Sequence, residues 1–375
     1  MRVLHAPIDI GGHASGLAAA QRLIGLDAVC VSLYPSPHSL GRAQELCGSA
    51  DGIAHRELAR WRLFWRALRE FDVIHLYFGE SLLMPRRRPD LRDGKPIGPL
   101  ELARRLYARL IWGADLPVLR RLGKRIIFSF LGDDVRMQGF TLANFEIAIA
   151  REVDGTYYPP RSDYWKKKLI ALADRYADSI LAYNPDLLHC LPSRARFIPY
   201  SHIFPETVKA QARRPSQYLR VAHAPTSRAA KGTRFVTSAV EELRKNGVPI
   251  EFDLIENVSH AEAMQRIARA DVFVDQLLAG WYGGAAVEAM LMEVPILAYI
   301  RESDLPLVPE SIQAELPILR TTPSGVVDAL RKLADTPSDE LAALGRRSRE
   351  FALREHDPVG VARRLSADLQ FLIPR

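Results

Sequence analysis

Three turns in this sequence carry the residue types that hold an anionic group. The first, Gly11-Gly12-His13-Ala14-Ser15-Gly16, would present backbone N–H groups and the start of a helix to a phosphate. The second, Pro225-Thr226-Ser227-Arg228-Ala229-Ala230-Lys231-Gly232-Thr233, sets two cations and two hydroxyls just ahead of another helix. The third, Gly280-Trp281-Tyr282-Gly283-Gly284-Ala285, leads into a helix carrying one acid, Glu288, among Ala289, Met290, Leu291 and Met292. Amides at Gly283, Gly284 and Ala285 suit a phosphate, and a part-buried Glu288 needs a partner such as a ribose hydroxyl. Each turn also has a plainer reading: a tight turn, a surface loop, and a core or solvent-facing acid. None matches G-x-G-x-x-G or a Walker P-loop, and no acid follows the second strand, where Tyr34 and Pro35 stand. An NAD(P)-dependent enzyme is therefore a weaker reading than a phosphate-binding one.

The elements that must position these turns alternate strand and helix. Apolar, β-branched runs at 3–6, 28–33, 72–77, 125–130, 179–183 and 196–199 read as buried parallel strands. Helical patterns at 17–26, 55–71 and 99–122 separate them. Residues 201–218, with two prolines and the Arg213-Arg214 pair, read as a linker. The alternation then restarts, with strands at 219–224, 251–256, 271–275 and 295–300. Helices are expected at 233–246, 260–270, 285–292, 324–334 and 338–353. The expected architecture is α/β: two doubly wound parallel-sheet domains, 1–200 and 219–375, facing a cleft, with a final helix free to cross back.

The 375 residues suffice for two cores, and 48% hydrophobic with 25% charged residues is the balance of a folded chain. No apolar run is long enough to span a membrane, and the N-terminus lacks a secretory pattern. Cys30, Cys47 and Cys190 are too few and too scattered for a disulfide framework or a zinc site, no metal-ligand cluster is expected at usable spacing, and the combination fits a cytoplasmic protein. The net charge of +7 lies wholly in the first half. Clusters at Arg86-Arg87-Arg88, Arg104, Arg105 and Arg109, and Lys166-Lys167-Lys168 could be solvated surface or could meet an anionic partner. Leu102, Leu106, Leu110 and Ile111 share one face of the 99–122 helix, which either packs on the sheet or meets an anionic membrane. No nucleic-acid recognition motif is present, so charge alone does not make nucleic acid a partner.

The runs His223-Ala224-Pro225-Thr226-Ser227-Arg228…Lys231-Gly232-Thr233, Ala270-Asp271…Asp275-Gln276 and Tyr282-Gly283…Glu288-Ala289-Met290…Val294-Pro295-Ile296 carry a resemblance. Together with Asp72-Val73-Ile74-His75, Gly132-Asp133-Asp134-Val135-Arg136 and Gly345-Arg346-Arg347…Glu355-His356-Asp357-Pro358, they resemble GT-B glycosyltransferases of the family 4 type. The resemblance implies a retaining, metal-independent transfer from a nucleoside-diphosphate sugar, UDP- or GDP-linked, to a saccharide or lipid-linked saccharide. No cofactor is implied. The enzyme would work in the cytoplasm, in peripheral contact with the inner membrane face. It also implies that Arg228 and Lys231 neutralise the diphosphate, that Gly283, Gly284 and Ala285 lie against it, and that Glu288 holds the ribose, while the glycine-rich loop adds Gly11 and Gly12 as expected donor contacts. Asp134 would serve catalysis, and Asp133 and Asp275 the donor sugar. Two positions depart from the pattern: the first acid of the E-x7-E motif falls on Gly280, and a histidine common among relatives is Leu131. Those departures make a nucleotide-sugar-binding protein without catalysis the alternative reading.

Overall fold

The computed structural model describes residues 1–35, 42–84, 98–208, 210 and 216–371. Its first sheet is built from β1 (Arg2–Ala6), β2 (Asp27–Ser32), β3 (Gln44–Glu45), β4 (Val73–Tyr77), β5 (Arg125–Phe130), β6 (Ser179–Ala182) and β7 (Arg196–Phe197). The order is β3-β2-β1-β4-β5-β6-β7, every pairing parallel. Strands β4, β5 and β6 are buried almost throughout, because helices cover both faces of a parallel sheet.

The second sheet comprises β8 (Leu219–His223), β9 (Ile250–Leu254), β10 (Val272–Val274), β11 (Ile296–Ala298) and β12 (Ile318–Arg320). It is also parallel, in the order β12-β11-β10-β8-β9. Both sheets reverse strand order once, between β1 and β4 and between β8 and β10, and the crevice beyond such a reversal is where open α/β sheets take ligands.

Strands expected from the sequence are present to within a few residues, but β3 and β12 carry no expectation; two- and three-residue edge strands leave too short an apolar run to read. The helix expected over 99–122 is two helices, Pro99–Ile111 and Asp115–Arg121. Gly113 breaks it at φ 70°, packed where an added Cβ would meet Leu172 at 2.8 Å. The helix Ser162–Tyr176 also carries no expectation from the sequence, and it buries Lys166, whose Nζ donates to the Arg136 carbonyl at 2.6 Å.

The domains meet through an aromatic and histidine layer. His356 Nδ1 donates to the Tyr200 carbonyl at 2.9 Å, which leaves its Nε2 to accept from the Tyr282 hydroxyl at 2.9 Å. Full burial lowers the His356 pKa to about 4, so the ring is neutral as that pattern requires. On the opposite flank, His189 Nε2 lies 2.8 Å from Asp304, and Arg301 donates to the Ile147 carbonyl at 3.0 Å. The last helix, Pro358–Phe371, packs back on the first, His13–Leu23.

Candidate functional site

A cavity of about 230 Å³ opens between the domains at the carboxyl ends of the strands. From the first domain it is lined by Leu131, Gly132, Asp133 and Arg136 after β5, and by Asn184 and Tyr200 after β6 and β7. From the second come Thr226, Ser227 and Lys231 after β8, Gln276 after β10, and Gly283. Of the anion-binding residues expected from the sequence, Lys231 and Gly283 meet here, opposite Asp133.

Lys231 is held in place by a carboxylate. Its Nζ is 2.9 Å from Asp275 Oδ1, and Asp275 Oδ2 accepts the Gly283 N–H at 2.5 Å. The Asp275 side chain is 1% exposed and that of Lys231 17%, so the ammonium is the part of the pair that reaches the cavity. Because the Gly283 amide is engaged by Asp275, the amides left for an anion are those of Gly284 and Ala285. They open the Gly284–Leu291 helix and have no acceptor within it. The local frame is fixed by His223, whose Nδ1 donates to the Val274 carbonyl at 2.7 Å while Nε2 accepts from Thr233 at 2.9 Å.

Arg228 is placed elsewhere. It opens the one-turn helix Arg228–Lys231, its side chain is 65% exposed, and its Nε donates to Glu256 at 2.8 Å. Only Ala229 and Ala230 separate it from Lys231, yet Glu256 draws it away from the cavity. Glu288, one helical turn after Gly284, does not line the cavity and accepts from His260 Nε2 at 2.7 Å. That bond raises the His260 pKa above its ordinary value.

The Gly11-Gly12 loop is filled from within. Both glycines have positive φ, 62° and 77°, and they turn the chain so that Asp9 Oδ1 accepts the Ala14 and Ser15 amides at 3.0 and 3.2 Å. The chain's own carboxylate thus occupies the anion position at this helix start. Neither glycine lines the described cavity.

Asp133 and Asp134 have opposite surroundings. Burial pushes the Asp133 carboxyl up, but Arg136 at 2.8 Å and the Tyr157 hydroxyl outweigh it and hold its pKa below the usual value. Burial raises Asp134 to about 6, against the Leu131 and Gly132 amides that it accepts. It is turned into the loop backbone, so of the two it is Asp133 that faces the cavity. Arg136, buried and bonded to Asp186 at 2.6 Å, positions Asp133 rather than offering a free charge. Asn184, Tyr200 and Gln276 had no signal in the sequence beyond their places just after strands.

The Gly280 departure has a steric cause. Gly280 has φ 83°, and a Cβ there would lie 2.6 Å from Arg301 Nη1 and 3.0 Å from its Cβ. Arg301 is locked by Asp304 at 2.9 Å and stacks 3.7 Å over the Phe145 ring of the other domain.

No family model matches the sequence, and no curated protein matches it. Solved structures do. The likenesses include HepE of Anabaena in complex with UDP-glucose, at 12% identity and TM-score 0.57 over 99% of this chain and 100% of that one. Sucrose-phosphate synthase of Thermosynechococcus elongatus matches at 12% identity and TM-score 0.59, over 99% of each chain. An alpha-glucosyltransferase bound to UDP and a 13-mer DNA matches at 8% and 0.58, over 98% of each. At such identities the likeness shows the fold, two facing parallel-sheet domains of the GT-B type.

Proposed function

We propose that this GT-B chain is a glycosyltransferase that moves a sugar from a nucleoside diphosphate, UDP- or GDP-linked, to a saccharide or lipid-linked saccharide, with retention and without a metal in the transfer step. The observation that carries the reading is the Lys231–Asp275–Gly283 arrangement beside a helix N-terminus in the interdomain cleft. It is supported by HepE and the alpha-glucosyltransferase, whose structures hold UDP-glucose and UDP. In this reading the leaving diphosphate gathers charge at Lys231 and at the Gly284 and Ala285 amides, donors fixed before the bond breaks. Asp133, held ionised, faces the donor sugar and accepts from its hydroxyls. Arg228 serves the diphosphate only by leaving Glu256. Thermal stabilisation by a panel of UDP-, GDP-, ADP- and dTDP-sugars tests the donor class. No stabilisation by any of them, with no nucleoside diphosphate released on incubation, overturns the reading. Stabilisation without release selects the non-catalytic binder. Turnover is expected to persist in excess EDTA; a loss restored by magnesium or manganese removes the metal-free step.

Glu288, the proposed ribose acceptor, brings a pH dependence. A ribose that donates to both Glu288 oxygens competes with His260 for Oε1. The raised His260 pKa means that the charged pair is complete below pH 6.5 and fades as pH rises through the raised value. The pair's contribution to stability follows the same course, while nucleoside diphosphate affinity should rise over that window. Calorimetry on wild type and His260→Ala checks it: the wild-type affinity should climb relative to the variant. Parallel pH profiles mean that Glu288 does not meet the ligand.

The acceptor side favours a membrane-borne substrate. Of the face expected from the sequence, Leu102, Leu106 and Leu110 of the Pro99–Ile111 helix are 42%, 50% and 78% exposed, and Ile111 at its end is buried in the core, so most of this face does not pack on the sheet. Arg104 and Arg109 lie on the same helix, whereas the Arg86–Arg88 cluster falls outside the described residues. Such a helix can lie in an anionic interface, each basic residue adding about 1 kcal/mol. No helix among the described residues is long and apolar enough to cross a membrane. Co-sedimentation with anionic vesicles is expected at low salt, weakened by high salt and by Leu106→Ser/Leu110→Ser. Absence of binding at low salt points to a soluble acceptor.

A further inference from the structure

Away from the cleft, the turn after β3 and the first turn of the Ile53–Glu70 helix gather three side chains of different chemistry. Sγ of Cys47, a carboxylate oxygen of Asp51 and a ring nitrogen of His55 all lie within 4.8 Å of one another. Asp51 Oδ2 and His55 Nε2 are 3.7 Å apart. Asp51 is oriented by the Gly48 N–H, which donates to it at 2.7 Å and folds the turn back toward the helix. The thiol side is dry, with Cys47 3% exposed, whereas the Asp51 and His55 side chains are 37% and 52% exposed.

These dimensions can be set against a tetrahedral zinc site. Bonds of about 2.3 Å to sulfur and about 2.0–2.2 Å to nitrogen or oxygen place neighbouring ligand atoms roughly 3.3–3.7 Å apart. The Asp51–His55 separation already meets that, and the widest pair must close by about 1 Å. Two of the three side chains reach solvent and are free to make that adjustment. Thiolate, carboxylate and neutral imidazole together balance a doubly charged ion, and a sulfur–nitrogen–oxygen set selects a zinc-class ion over magnesium or calcium.

We propose that Cys47, Asp51 and His55 form a binding site for a zinc-class divalent cation, with three protein ligands and a fourth position open to solvent. One thiol suffices here because aspartate and histidine follow at four-residue intervals, a pattern that a count of cysteines passes over. None of the three lines the interdomain cavity, so the site is separate from donor binding. The ion would tie the edge of the first sheet to its neighbouring helix.

The test is equilibrium dialysis of the full chain against Zn²⁺, with a parallel Co²⁺ titration read in the near-ultraviolet and visible. One equivalent of either ion should bind, and cobalt should give a sulfur-to-metal charge-transfer band with the intense visible bands of a low-coordinate centre. Cys47→Ser should abolish the charge-transfer band. His55→Gln, a change at a half-exposed position, should weaken binding by about tenfold or more while leaving the melting temperature of the metal-free protein unchanged. No stoichiometric uptake by the wild type, uptake unaltered in both variants, or a charge-transfer band surviving in Cys47→Ser each overturns the proposal.

Discussion

Replacing Lys231 with alanine is expected to lower kcat/KM for the nucleotide sugar by about 10²–10³-fold, the loss measured when one preorganised donor is removed from a developing anion. The ammonium is the charge in the cavity that a leaving diphosphate can reach without breaking a bidentate pair, since Arg136 is committed to Asp186 and Asp133. Alanine also strands Asp275, a buried carboxylate left with the Gly283 amide alone, and breaking such a pair costs about 3–5 kcal/mol. A fall in activity could then reflect a damaged fold. The double variant Lys231→Met/Asp275→Asn separates the two effects, because it removes both charges together. Its melting temperature should return toward wild type while turnover stays low. If turnover recovers with stability, Lys231 is a structural partner of Asp275 and the diphosphate lies elsewhere.

Gly280→Glu, which restores the acid of the E-x7-E pattern, is expected to destabilise the protein by about 2–5 kcal/mol and to bring no gain in transfer. A side chain at φ 83° costs about 1–2 kcal/mol on conformational grounds. The remainder comes from overpacking, typically about 1–3 kcal/mol, against Arg301. Arg301 cannot swing aside without loss: Asp304, the Ile147 carbonyl and the Phe145 ring hold it, two of them from the other domain. Thermal unfolding of Gly280→Glu and Gly280→Ala checks this, with the glutamate variant the less stable. A Gly280→Glu protein that melts with the wild type and turns over faster would mean that the acid is tolerated and useful.

The central strands were legible in the sequence because a strand buried on both faces is apolar along most of its length, as 73–77 and 125–130 are apart from His75, Arg125 and Ser129. The break at Gly113 was not, since a glycine within a helical pattern is common and only its positive φ and the packing against Leu172 require one there. At the site, Lys231 and Gly283 could be found from turns that follow strands. The divergence of Arg228 could not, because it depends on Glu256, which is distant in sequence. Nor could the self-filled Gly11-Gly12 loop: Asp9 lies two residues before it and reads as one more polar turn residue until its carboxylate is seen on the Ala14 and Ser15 amides. Glycine and charge at a strand end mark places where an anion is welcome, and a nearby carboxylate of the chain can answer as well as a ligand.

The return of the Pro358–Phe371 helix to the His13–Leu23 helix also bears on how the chain is made. The first helix is synthesised well before the helix that covers it, because the two stand far apart along the chain. Until the covering helix is made, that first helix keeps an uncovered flank, the circumstance in which nascent multidomain chains recruit chaperones or aggregate. Truncations that remove only the last helix should therefore harm the first domain more than the second, although the cut lies beyond both sheets.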